Sequence, residues 1–343
     1  MPQKTIGILG DGSWGTALAC LLAENGHDVR LWGPFPEVTE EIRTSRTNHD
    51  YLPDLRIPDT LEPTNDMRAA VGDAGLVIFA TPVLYLRKVA QQAAEALNGD
   101  TRRRLVCVAK GIERDTLLLG SQIVGNVTNE EDVCVMVGPS HAEEVAKHCP
   151  TSVVSAARDA AFAEAVRDMF MNDHFRVYTG RDPLGAEIGA SVKNVIAIAA
   201  GICDGLELGD NAKSALLTRG LAEITRLGIA LGAQRDTFSG LSGIGDLITT
   251  CISPHGRNLR VGLQIGRGKP IEDVIEEMKP MVPEGVYTTQ SVTELAERHQ
   301  VDMPIARAVR AVLFDKKPAM EAVHDLMTRE PKAERVGLRP PSE

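Results

Sequence analysis

Lys193 stands in the middle of an apolar run, "EIGASVKNVIAIAAG", over residues 187–201. Ile188, Val192, Val195, Ile196 and Ala199 recur at three- and four-residue steps, the period of a helix. Lys193 and Asn194 interrupt that face. An unpaired ammonium buried in apolar surroundings is costly, so this lysine requires a partner. "SGIGDLITTC" (242–251) offers Asp246, Thr249 and Thr250. A carboxylate beside a desolvated lysine offsets its burial, orients it and tunes its pKa. A lysine tuned in this way exchanges protons near neutral pH. The same pair also reads as a structural tie between two helices, and both readings are open at this level.

Other residue types point to anion chemistry. Lys110 ends the apolar run "RLVCVAK" and opens "KGIE", where it can meet an anion or a carbonyl. Gly138, Ser140 and Ala142 of "GPSHAEE" follow another apolar run and belong to the same rim; His141 beside them reads as an acid or base, or as a structural histidine. "SPHGRNLR" (253–260) supplies Arg257, whose planar fork suits a phosphate or carboxylate, and Asn258 next to it. The turn before them places both at a helix start, where anions bind. At the other end of the chain, "GILGDGSWGTALA" carries Gly10, Gly12 and Gly15. This GxGxxG sits directly after a strand and directly before a helix, the context that makes it a dinucleotide fingerprint. Gly10 permits the turn, Gly12 lets the pyrophosphate approach, and Gly15 lets helix and strand pack closely. Asp11 in that loop is expected to point outward. The second strand ends "LWGPFPE" (31–37), with neither the acid of an NAD site nor the arginine of an NADP site in place. Glu37 and Arg43 lie near, and the preference between NAD and NADP stays open.

These residues need a sheet edge and a helical body to hold them. "TIGILG", "HDVRLW", "GLVIFAT" (75–81), "RLVCVAK" (104–110), "EDVCVMVG" (131–138) and "TSVVSAA" (151–157) read as strands. "GTALACLLAEN", stopped at Gly26, and "LYLRKVAQQAAEAL" read as helices between them. That alternation predicts a parallel sheet with helices on both faces. Near "TGRDPLGAEIG" (179–189) the pattern changes to helical periodicity alone, with long helices over 211–232, 284–300 and 303–315, and a loose tail from 335. The fold class is therefore an α/β Rossmann-like N-terminal domain with a parallel-rich sheet, residues 1–182, plus an all-α C-terminal domain, residues 183–343.

The chain has 343 residues and a formal net charge of −10, with 4% aromatics. That balance argues against nucleic-acid and anionic-membrane partners. No uncharged apolar run reaches the length of a membrane span, so no stable membrane insertion is expected. The first strand begins almost at once, leaving no room for a signal peptide. The six cysteines, Cys20, Cys107, Cys134, Cys149, Cys203 and Cys251, show no metal-ligand spacing and read as reduced residues of a cytoplasmic protein. No metal is expected.

Taken in order, "GDGSWGTALA", "VAKGIE", "VGPSHAEE", "EIGASVKNVIAIAAGICDGLELGDNAKSALLTRGLAE", "GLSGIGDLITTC", "GRN" and "PEGVYTT" resemble the soluble NAD(P)-dependent sn-glycerol-3-phosphate dehydrogenases over nearly the whole chain. The resemblance implies reduction of dihydroxyacetone phosphate, a product used for glycerophospholipids, and a homodimer built through the helical domain. It implies a catalytic set of Lys193, Lys110 and Asp246, with Lys193 exchanging a proton with the substrate C2 oxygen. The implied cofactor contacts are Gly10, Gly12, Ser13, Trp14, Gly15, Lys110, Ala142, Arg257, Val282 and Glu284. The implied substrate contacts are Lys110, Gly138, Ser140, Lys193, Asn194, Asp246, Thr250, Gly256, Arg257 and Asn258. The chain departs from the family pattern at Asp11, where a small residue is usual, at Gly256, where a serine is common, and in "GPFPE", which lacks a basic residue. A dehydrogenase for a hydroxy acid or sugar acid, and a nicotinamide-binding sensor without turnover, are the alternative readings.

Overall fold

The computed structural model describes residues 4–97, 104–279, 281, 283–331 and 333–334; the tail from 335 lies outside the described residues. Eight strands form one sheet: β1 (Thr5–Leu9), β2 (Asp28–Trp32), β3 (Glu62–Thr64), β4 (Leu76–Phe79), β5 (Arg104–Cys107), β6 (Cys134–Val137), β7 (Thr151–Ala156) and β8 (Phe175–Gly180). Their spatial order is β3-β2-β1-β4-β5-β6-β7-β8. The inner strands are short and mostly buried, β4 and β6 along their whole length, as expected where helices cover both faces of a parallel sheet. Leu9 pairs with both Trp32 and Phe79, so β1, β2 and β4 end at one level. The order reverses direction between β1 and β4, and the crevice above that point is where open α/β sheets take ligands.

The sheet is not parallel throughout. β7 runs antiparallel to β6. Between them stands only the five-residue helix Ala142–Ala146, which spans about 7.5 Å and does not carry the chain back across the sheet. Two strands went unread in the sequence. β3 has three residues, one of them Pro63. β8 alternates buried and exposed positions over "FRVY", a half-buried strand signature that was present in the sequence.

After Gly180 the chain enters the helix Pro183–Gly205, which is buried from Gly185 to Cys203. It is long and apolar enough to cross a membrane, but here other helices enclose it. The helix Arg257–Gly266 presses on it so closely that a Cβ on Gly262 would lie 2.0 Å from the Ile198 carbonyl oxygen. That contact fixes Arg257 and Asn258 relative to Lys193. All six cysteines are free thiols, and only Cys149 is partly exposed.

Two buried acids hold this arrangement. Glu187 accepts from the Ser121 N–H at 2.7 Å, joining the central helix to the helix Gly120–Thr128. Glu223 accepts from the N–H groups of Ile305 and Ala306, at 2.8 and 3.3 Å, at the start of the helix Pro304–Phe314. Burial raises both carboxyls from 4.5 to about 7, against those hydrogen bonds. The native state then holds protons that the unfolded chain releases between about pH 4.5 and 7. Their stabilising share is present below that window and is lost as pH rises through it. Glu223→Gln is expected to flatten the fall of melting temperature between pH 5 and 8 by roughly 3 °C or more, measured against the unmodified chain in the same buffers.

Candidate functional site

The glycine loop connects β1 to the helix Ser13–Glu24. Gly10 holds φ +127°, and a Cβ there would lie 2.8 Å from the Ala80 carbonyl carbon. A Cβ on Gly15 would lie 1.8 Å from the Gly10 carbonyl oxygen, so only glycine lets the helix start this close to the strand. Gly12 is different. Among the described residues no atom lies within 4 Å of where its Cβ would stand. The loop is tight beneath and open above, which fits a pyrophosphate laid on the first helical turn. Ser13 is anchored by donating to the Tyr51 carbonyl at 3.2 Å. Trp14 is half-buried beside it, and its indole Nε1 is buried without a partner among the described residues.

Asp11 does not point outward. It is only 6% exposed, and its carboxylate turns toward Gly33 just past β2. Gly33 has no side chain, and the Asp11 carboxylate occupies the space that one would fill. Burial is the main reason that its carboxyl is raised to about 6; its own amide opposes this, and Glu37 adds to it.

The second half of the site is a charge cluster. Lys193 (4% exposed) lies in the middle of the central helix, and Asp246 (1% exposed) opens the helix Asp246–Ile252 after the π-helical turn Leu241–Gly245. Lys193 Nζ donates to Asp246 Oδ1 and, at 2.6 Å, to Thr250 Oγ1. Thr250 in turn donates to the Asp246 carbonyl at 2.7 Å. Lys110 Nζ donates to the other carboxylate oxygen, Oδ2, and to the Gly138 carbonyl, both at 3.0 Å. One carboxylate therefore serves two lysines, one from the sheet rim and one from the helical half. Burial pushes the Lys193 ammonium down from 10.5 to about 7; Lys110 adds to this, and Asp246 opposes it.

The loop after β5 joins the halves. Asn194 Nδ2 donates to the Lys110 carbonyl at 3.4 Å, Ser191 to the Gly111 carbonyl at 3.2 Å, and Ser291 to the Ile112 carbonyl at 3.1 Å. Ser140 Oγ donates to the Gly138 carbonyl at 3.0 Å, and the Ala142 side chain packs into the sheet-side core. Glu284 accepts from the Val83 N–H at 3.0 Å, capping a sheet-side helix from the helical half. Burial raises its carboxyl, and the Val83 hydrogen bond, Arg257, Lys110 and Lys193 pull it back. Val282 lies outside the described residues. Gly256 precedes the helix Arg257–Gly266, with Arg257 exposed at its first position. Asn258 is buried, and its Oδ1 accepts from the Gly285 N–H at 3.0 Å.

The structure thus gathers Lys193, Lys110, Asp246, Thr250, Asn194, Gly138 and Ser140, and it links Asn258 to the start of the Glu284 helix. His141 gains weight here. It is half-buried with Nε2 unpartnered among the described residues, and burial and then the Lys193 charge lower its pKa below 6.5. The sequence offered only its place in "GPSHAEE". Neither the sharing of Asp246 between two lysines nor the Glu284 cap had a local sequence signal.

A dinucleotide cradle at the switch point of a doubly wound sheet, facing a desolvated lysine from a helical half, is the architecture of an NAD(P)-dependent dehydrogenase. The comparisons narrow this class. The family described as NAD-dependent glycerol-3-phosphate dehydrogenase matches through its N-terminal part over residues 5–163 and its C-terminal part over residues 182–324, and the chain belongs to it. Relatives called glycerol-3-phosphate dehydrogenase [NAD(P)+] include one from Geobacillus thermodenitrificans, 50% identical over 97% of each chain. Another, from Listeria monocytogenes serotype 4b, is 47% identical over 98% of this chain and 99% of its own. The crystal structure of glycerol-3-phosphate dehydrogenase from Coxiella burnetii superposes with a TM-score of 0.91 at 35% identity, covering 95% of this chain and 99% of that one.

Proposed function

We propose that this chain reduces dihydroxyacetone phosphate reversibly to sn-glycerol 3-phosphate with NADH or NADPH, and that Lys193 is the proton donor and acceptor. The observation that carries the reading is the Lys193–Asp246–Lys110 cluster, buried at the rim of the sheet where a nicotinamide substrate would lie. Gly10, Gly12, Ser13, Trp14 and Gly15 hold the cofactor, with Lys110, Ala142, Arg257, Val282 and Glu284 along its length. When bound, the cofactor supplies or takes a hydride at C2 of the substrate. Lys193 gives a proton to the C2 oxygen in reduction and takes it back in oxidation, with Thr250 and Asp246 fixing the direction of Nζ. Lys110 places a second positive charge where the oxyanion develops. Arg257 supplies a fork for the phosphate, and Asn258, Asn194, Gly138, Ser140 and Gly256 line its approach.

The domain division at 182/183, action in the cytoplasm and supply of glycerophospholipid synthesis belong to the same reading. So does a homodimer through the helical half. Ile244, Ile248 and Ile252 support it: they recur at four-residue steps and are 38%, 41% and 60% exposed, an apolar stripe that runs from the π-helical turn Leu241–Gly245 onto the helix Asp246–Ile252.

The test is loss of NADH or NADPH absorbance in the presence of dihydroxyacetone phosphate. Oxidation that depends on the phosphate ester is expected. Protein that binds a cofactor but does not oxidise it with the phosphate ester, while reducing NAD+ or NADP+ with a hydroxy acid, would sink the reading. A pH dependence follows from Lys193. Reduction needs the ammonium, so kcat/KM for the ketone is expected to fall about tenfold per pH unit above about 7. Oxidation needs the free amine, and its kcat/KM is expected to rise through the same pH. Two limbs of the same sign would exclude Lys193 as the proton carrier.

A further inference from the structure

We propose that Asp11 sets the cofactor preference of this chain: its carboxylate accepts the adenosine ribose hydroxyls of NAD(H) and turns away the 2′-phosphate of NADP(H). In a doubly wound dinucleotide site the ribose is held by an acid at the end of the second strand. Here that strand ends at Trp32 and continues with Gly33, which has no side chain. The space is nevertheless filled. A Cβ on Gly33 would lie 1.8 Å from Asp11 Oδ2 and 2.3 Å from its Cγ. The acid stands where a side chain at Gly33 would project, supplied from the glycine loop in place of the strand.

The setting of Asp11 suits a waiting acceptor. Its backbone is fixed, because its carbonyl accepts from Asn48 Nδ2 at 2.7 Å and from Thr16 Oγ1 at 3.1 Å. Its Oδ2 is buried and has no hydrogen-bond partner among the described residues. A buried acceptor left unpaired is expensive, and a sugar hydroxyl would satisfy it. A phosphate at the same place would meet a like charge in a partly dehydrated pocket, with Glu37 adding to the repulsion. "GPFPE" has no cation. Arg43 donates to Glu40 and the Pro63 carbonyl, and Arg46 donates to the Leu61 carbonyl.

This inference rests on the glycine loop being the dinucleotide site, and the test separates the two. Dissociation constants for NADH and NADPH are measured by calorimetry at pH 8, where Asp11 is ionised, on the full chain and on Asp11→Asn and Asp11→Ala. The unmodified chain is expected to bind NADH at least about tenfold more tightly than NADPH, the scale of one hydrogen bond to a charged group. Either substitution is expected to narrow that ratio about tenfold, by weakening NADH and strengthening NADPH. An unmodified chain that binds both cofactors equally, or folded variants with an unchanged ratio, would overturn the role of Asp11 alone. Binding of neither cofactor would overturn the loop assignment as well. If both variants fail to fold, the unmodified chain decides the matter: 5′-AMP must bind more tightly than 2′,5′-ADP, and the reverse order overturns the proposal.

Discussion

Lys193→Met is expected to lower kcat for ketone reduction by about a thousandfold, within the range that a positioned general acid contributes. The side chain is nearly isosteric, and its stem lies on a helix that is buried from Gly185 to Cys203. Asp246 keeps Lys110 as a partner at 3.0 Å, so the carboxylate is not stranded by the change. The fold and the affinity for cofactor are therefore expected to persist, which separates a chemical loss from a structural one. Lys193→Arg is expected not to rescue the rate, because a guanidinium stays protonated throughout the working range and cannot return a proton. The measurement is single-turnover reduction beside a melting curve and a cofactor titration. Turnover near that of the unmodified chain, from folded Met variant that binds cofactor, would leave Lys193 as no more than a buried tie between helices.

The lysine was legible in the sequence because it breaks a pattern. A charge on a face that is otherwise Ile, Val and Ala at helical spacing has few innocent explanations, and the polar "GDLITT" elsewhere offered it a partner. The glycine loop was legible for the same kind of reason, since three glycines at that spacing between a strand and a helix answer a specific geometric demand. What escaped was contact between distant segments. Lys110 and Asp246 are 136 residues apart, and no local periodicity says that Lys110 and Lys193 share the one carboxylate. Asp11 was misjudged because its burial is decided by Gly33, a neighbour only through strand pairing. Glu187 and Glu223 carry no local sequence signal of the distant helix starts whose N–H groups they accept from, and both are buried there. The reversed β7 goes with the shortness of the connecting helix Ala142–Ala146, a segment that the sequence showed as the rim loop "GPSHAEE" and not as a helix.

Asp246→Asn should have the second large effect, and it tests how the site tunes its acid. The carboxylate answers two ammonium groups with two oxygens. A carboxamide offers one acceptor and presents an N–H to the other lysine. Removing one partner of a buried ion pair costs about 3–5 kcal/mol, and each kcal/mol is worth about 2–4 °C in a chain of this order of size. A fall in melting temperature of roughly 10 °C is expected. The informative readout is the pH profile. Asp246 is the main influence that holds the Lys193 ammonium up against burial, and Lys110 pushes the other way. Without the carboxylate the pKa of Lys193 drops below about 7, so less of the acid form remains at neutral pH. The falling limb of ketone reduction is expected to move at least one pH unit toward acid, while alcohol oxidation gains relative to reduction at pH 7. A variant that melts earlier but keeps the pH limb of the unmodified chain would make Asp246 a structural anchor and return the tuning of Lys193 to burial alone.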